Sequence, residues 1–176
     1  MATEQDKTLE GLKTAIQMEI DGKQFYLKAS RESSNEAGKK LLESLAAEED
    51  VHRQKFEEIF ESIQDKNAWP KVDFTPDGGS SLRTLFARAI EQVGKSIKAP
   101  ESELDAVQTA VNMEAKTYDF YISQSQSTPY SAARDYYEAL ASQEREHQLV
   151  LLDYYEFLKN PAGWFVSTEH PLLNGG

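Results

Sequence analysis

Leu45-Ala46-Ala47-Glu48-Glu49-Asp50-Val51-His52 and Leu140-Ala141-Ser142-Gln143-Glu144-Arg145-Glu146-His147 each contain Glu-x-x-His, and they stand 95 residues apart. The same offset relates Glu19, in Ala15-Ile16-Gln17-Met18-Glu19, to Glu114, in Ala110-Val111-Asn112-Met113-Glu114. It also relates Phe25-Tyr26 to Phe120-Tyr121, and Trp69 to Trp164. One offset shared by so many chemically distinctive residues marks an internal repeat. Each unit offers one isolated Glu and one Glu-x-x-His. Two units together offer four carboxylates and two imidazoles, a set that fits one dinuclear metal site.

The apolar spacing around these residues is helical. Residues 8–31 carry Leu9, Leu12, Ile16, Glu19, Lys23 and Tyr26 at intervals of three and four, with Phe25 and Leu27 widening the face. Ser33-Ser34-Asn35 is a turn that supplies helix N-cap candidates. Residues 36–64 follow with Leu42, Leu45, Glu49, His52, Phe56, Ile59 and Ile63 on one stripe. Glu49 and His52 thus stand in the apolar line. Burying them there is costly unless something pairs with them.

The helix breaks across 65–80, at Asn67, Trp69-Pro70, Pro76 and Asp77-Gly78-Gly79. A short amphipathic helix is expected over 81–96, capped by Ser80 or Ser81, within a long connection. A third long helix spans 103–125 behind Ser102, with Leu104, Val107, Val111, Glu114, Tyr118 and Tyr121 on its stripe. The fourth spans 130–159, with Pro129 at its first position and Tyr137, Leu140, Glu144, His147, Leu151, Tyr154 and Leu158 in line. Residues 160–176 form a tail whose Trp164-Phe165 pack back on the bundle.

Short turns make each helix pair antiparallel. The 65–102 connection is long enough to run from one end of the bundle to the other, since a 25-residue helix measures about 38 Å. The predicted fold is all-α: a single domain over 1–176, a four-helix bundle with one long crossover containing a short extra helix.

Composition narrows the chemistry. The chain has 176 residues, a formal net charge of −11 and no cysteine. Disulfides, thiolate zinc and cysteine-ligated iron–sulfur centres are excluded within it. Any metal must be held by Glu, Asp and His, donors that suit iron or manganese. The acidity argues against nucleic acid as a partner. No apolar run reaches the length of a membrane span, and the N-terminus lacks the pattern of a signal peptide. Cytoplasmic location is the default expectation.

At positions i and i+3, Glu and His leave a helix on the same side. Glu49 with His52, and Glu144 with His147, can each present a bridging carboxylate and an imidazole. Glu19 and Glu114 are the terminal ligands. Two divalent cations balance four carboxylates; without them the site is strained, partly protonated or open. The competing reading is a set of buried Glu and His bonded to each other. Tyr26, Tyr118 and Tyr121 share the ligand-bearing stripes and can hydrogen-bond the carboxylates, with core packing as their alternative role. Met18 and Met113 are packing residues. His170 is a surface residue, and Glu48, Asp50, Arg145 and Glu146 belong to solvated faces. Trp69 and Trp164 cap the two bundle ends.

From about residue 9 to 159 the chain resembles the rubrerythrin and ferritin-like di-iron carboxylate superfamily, in which one Glu from each of two helices and Glu-x-x-His from each of the others hold the metals. The resemblance implies a four-helix bundle with a non-haem di-iron centre that reacts with hydrogen peroxide or dioxygen. It makes Glu19, Glu49, His52, Glu114, Glu144 and His147 the iron ligands, with Glu49 and Glu144 bridging. Two features depart from typical rubrerythrins. The rubredoxin-like Cys₄ domain has no counterpart in these residues, so electrons must come from an external donor. The extra carboxylate one turn before the third-helix ligand is Val111 here, mirroring Ile16, which leaves a symmetric six-ligand set nearer to bacterioferritin-like centres.

The expected function is reduction of peroxide or dioxygen with oxidation of Fe(II), in oxidative-stress defence or iron homeostasis. Two Fe ions are the expected cofactor, with Mn, mixed Fe/Mn or adventitious zinc compatible with the same donors. A ferritin-like iron-storage subunit is the alternative, and a structural or interaction bundle with a non-redox metal is an alternative of another class. The expected assembly is a homo-oligomer, a dimer rather than a cage.

Overall fold

The computed structural model describes residues 1–169, so His170 and the rest of the tail lie outside the described residues. The described chain forms six helices: α1 (Glu4–Glu32), α2 (Glu36–Lys66), α3 (Ser80–Val93), α4 (Glu101–Ser127), α5 (Ser131–Lys159) and α6 (Pro161–Glu169). The repeat offset carries the end of α1 and the start of α2, Glu32 and Glu36, onto the end of α4 and the start of α5, Ser127 and Ser131. The repeat is therefore structural as well as sequential.

Local chemistry moves several boundaries from their expected places. Helix α1 begins earlier than residue 8, because Thr3 and Asp6 make a reciprocal capping box. Of the three cap candidates before α2, Asn35 is used; its side chain accepts from the Gly38 amide at 2.8 Å. Neither Ser80 nor Ser81 caps α3. Asp77 does this work, its carboxylate accepting from the Gly79 and Ser81 amides at 2.9 Å. Helix α3 stops at Val93, short of residue 96, because Gly94 takes a positive φ of 81° that a side chain would resist.

Ser102 lies inside α4, which starts behind Pro100 with Glu101 and Glu103 in its first turn, where negative charge suits the helix dipole. Pro129 precedes the start of α5, with Tyr130 between it and Ser131. The segment read as tail contains α6, seated by Trp164. Its indole Nε1 donates to Asp153 at 2.7 Å, and its ring packs at about right angles to Phe86 and Phe157.

Two apolar layers fill the bundle. One gathers Tyr26, Leu41, Leu45, Val107, Val111, Leu151, Tyr154 and Phe157. The other gathers Leu12, Ala15, Phe56, Ile59, Ile63, Tyr121, Tyr137 and Leu140. Each long helix passes from one layer to the other. Helices α1 and α5 run from the second layer to the first, and α2 and α4 run the opposite way. The α1–α2 and α4–α5 pairs are thus antiparallel. The connection from α2 to α4 must climb the whole bundle. It starts with Trp69, Val72 and Phe74 against the second layer and ends with α3 and Ile97 against the first. This is the predicted four-helix bundle with one crossover. Between the two layers each long helix contributes polar residues, and these form the site.

Candidate metal centre

Glu19 comes from α1, Glu49 and His52 from α2, Glu114 from α4, and Glu144 and His147 from α5. All six residues are buried, none more than 3 % exposed. The structure brings them into two overlapping groups, Glu19–Glu49–His52–Glu144 and Glu49–Glu114–Glu144–His147, with each group's ligand atoms within 4.8 Å of one another. Glu49 and Glu144 belong to both. The imidazoles lie almost parallel, their ring centroids 5.9 Å apart. His52 Nδ1 is 3.2 Å from Glu144 and 3.4 Å from Glu19. His147 Nδ1 is 3.3 Å from Glu49 and 3.6 Å from Glu114.

These approaches are not directed hydrogen bonds. Glu19 Oε2, Glu49 Oε1, both oxygens of Glu144 and Nδ1 of both histidines are buried with no bonding partner. Buried polar atoms are ordinarily satisfied, so a group of orphans turned toward one another needs an explanation. Cations supply one. Oxygen and imidazole donors in this number suit two divalent ions of the iron or manganese type, and the four carboxylates balance their charge. The residues present therefore fit a dinuclear metal.

Titration behaviour reflects the crowding. Burial, then the charges of Glu19, Glu144 and Glu114, push the Glu49 carboxyl well above its usual range. Glu114 is pushed up to about 8 by burial and by Glu144. Burial also works to raise Glu144, but the protons on Glu114 and both imidazoles close beside it outweigh that and hold Glu144 low. Burial disfavours charge on both histidines. The surrounding carboxylates prevail, and both imidazoles are raised.

Tyrosines cross between the repeats. Tyr26 of the first unit donates to Glu114 of the second, and Tyr121 of the second donates to Glu19 of the first. Tyr118, on the same stripe, does not share this role: it is only partly buried, and Arg145 lies over its ring. Glu48 does not belong to the solvated face that its place on the helix suggests. Instead its Oε2 lies 2.7 Å from His147 Nε2 and accepts from Gln143 Nε2 at 2.7 Å. Its position one residue off the apolar stripe hid it. The signal that could have found it is the repeat, which pairs Glu48 with Gln143 directly before Glu49 and Glu144. Asp50 pairs with Lys23 and Arg53, and Glu146 with Arg83, outside the cluster.

Fold and site together define a ferritin-like helical bundle enclosing a carboxylate–imidazole cluster of metal-binding type. A model of the family described as Rubrerythrin matches residues 10–155, most of the chain and all of the cluster. The chain belongs to the rubrerythrin family. No curated protein and no solved structure matches it. No helix among the described residues is long and apolar enough to cross a membrane.

Proposed function

We propose that this chain is a non-haem di-iron protein that reduces hydrogen peroxide or dioxygen while ferrous iron is oxidised, in oxidative-stress defence or iron homeostasis. The observation that carries the reading is the sharing of Glu49 and Glu144 between two four-residue groups. Separate mononuclear sites would share nothing. Glu19 and His52 complete one position, and Glu114 and His147 the other. The iron pair, when bound, supplies the two electrons that the oxidant takes up.

The chain's own residues do the rest. Glu49 and Glu144 hold the two positions in common. Tyr121 occupies Glu19 Oε1 and leaves Oε2 free to face the cluster, and Tyr26 anchors Glu114 through its Oε1. The apolar layers on either side keep water from the buried ligands, which strengthens every electrostatic contact among them. No cysteine is present to carry electrons, so the reading includes an external donor. A small homo-oligomer, a dimer, completes it.

The test is peroxide consumption by protein loaded anaerobically with ferrous iron, compared with free ferrous ion and with Glu144→Ala. Faster consumption by the loaded protein, abolished in the variant, is the expected result. No acceleration over free ferrous ion, in protein that holds its iron, contradicts the reading and favours a bundle in which metal is only cement.

A further inference from the structure

The repeat relates the two halves of the centre, but one pair of side chains breaks the relation. Glu48 and Gln143 occupy equivalent places, yet only Glu48 is a carboxylate. Its Oε2 lies 2.7 Å from His147 Nε2. Gln143 spends its amide nitrogen on Glu48, and its Oε1 is buried without a partner. His52 Nε2 is likewise buried without a partner, and the His52 ring stands nearly perpendicular to Phe74 of the crossover, 5.8 Å away. One imidazole thus rests on a carboxylate and the other does not.

A carboxylate that accepts from Nε2–H fixes the tautomer, so that Nδ1 offers its lone pair to the cluster. It also holds the ring angle and makes the imidazole a stronger donor. It further adds negative charge on one side of the centre only.

We propose that the two metal positions are inequivalent, that the position completed by Glu114 and His147 fills first and binds more tightly, and that Glu48 is the positioning residue responsible. The proposal rests on the dinuclear reading above and adds an order of loading to it.

Anaerobic titration of the metal-free full chain with cobalt(II), followed by visible d–d absorption and by calorimetry, reads both steps without any catalytic assay. The wild type shows two steps with dissociation constants at least about tenfold apart. His52→Ala keeps the tight step, and His147→Ala loses it. Glu48→Gln weakens the tight step by about 10–100-fold and leaves the weak one in place. Gln143→Glu gives His52 the missing carboxylate and tightens the weak step. Circular dichroism verifies that each variant is folded.

Equal steps in the wild type overturn the proposal. So does a tight step that survives unchanged in Glu48→Gln or His147→Ala. Should Glu48→Gln fail to fold, Gln143→Glu decides: an unaltered weak step rejects the role of the carboxylate. A wild-type chain that binds no cobalt at all fails the dinuclear reading itself, and the order of loading falls with it.

Discussion

Tyr121 and Tyr26 divide the labour of the terminal carboxylates, each donating to a glutamate of the other repeat. Removing one hydroxyl leaves its carboxylate free to swing. Tyr121→Phe is expected to weaken metal binding by about 10–100-fold, read by calorimetric titration, with the fold intact. Protonation also sets how stability depends on pH. Glu114 is raised from 4.5 to about 8, and Glu49, His52 and His147 are raised as well. A raised group stabilises the fold below its unfolded value, and that contribution is lost as pH climbs through the folded value. Glu144 and Glu48 are lowered and act in the opposite sense, but only on the acid side of 4.5. Thermal unfolding of the metal-free protein should therefore shift downward between about pH 5 and about pH 9. Bound metal displaces the protons, so the gap between loaded and metal-free melting points widens over the same range. A metal-free melting point that is flat or rising would contradict the assignment of the raised groups. The six clustered side chains were legible because each is a charged or polar residue in an apolar stripe. Glu48 was not, because only the facing helix makes it half-buried and bonded.

Gly22 of α1 faces Glu49 of α2. A Cβ at Gly22 would stand 2.7 Å from Glu49 Oε2, the free end of a side chain, with no backbone atom in the way. Gly22→Ala should thus spare the bundle, and the better helix former adds up to about 1 kcal/mol. The displaced carboxylate should lower iron capacity, so elemental analysis and thermal melts move in opposite directions. Retained capacity would show that Glu49 is not needed in its observed place. The start of α4 carries a different kind of lock. Glu103 is buried and accepts from Ser33 Oγ at 2.8 Å, the Ser34 amide at 3.1 Å and Tyr154 Oη at 2.9 Å. It ties the α1–α2 turn to α4 and α5. Glu103→Ala orphans these donors and should cost about 3 kcal/mol, a fall of about 6–12 °C in Tm for a chain of this size. Sequence periodicity found the five longest helices because their buried faces are continuous. It missed α6, whose nine residues are placed by Trp164 against Asp153 and Phe157. It misplaced helix starts where the cap is not the nearest Ser: the Asp77 carboxylate, a few residues ahead, serves α3, and α4 starts behind Pro100.

Across the whole molecule, the repeat sets a polar layer between two apolar ones, and the crossover joins the halves without interrupting that layer. Such an arrangement couples metal to folding. Ferrous iron at about a hundredfold excess over its dissociation constant should stabilise the chain by about 2.7 kcal/mol per site, an increase of about 5–11 °C in Tm, reversed by a chelator. Particle mass in solution separates the dimeric reading from a storage cage, since a mineral core needs a large hollow assembly. The most direct test of the dinuclear centre is iron content per chain, by elemental analysis after anaerobic loading and desalting. Two shared glutamates predict about two irons per chain. A value near zero or near one, in folded protein, would contradict a dinuclear iron centre.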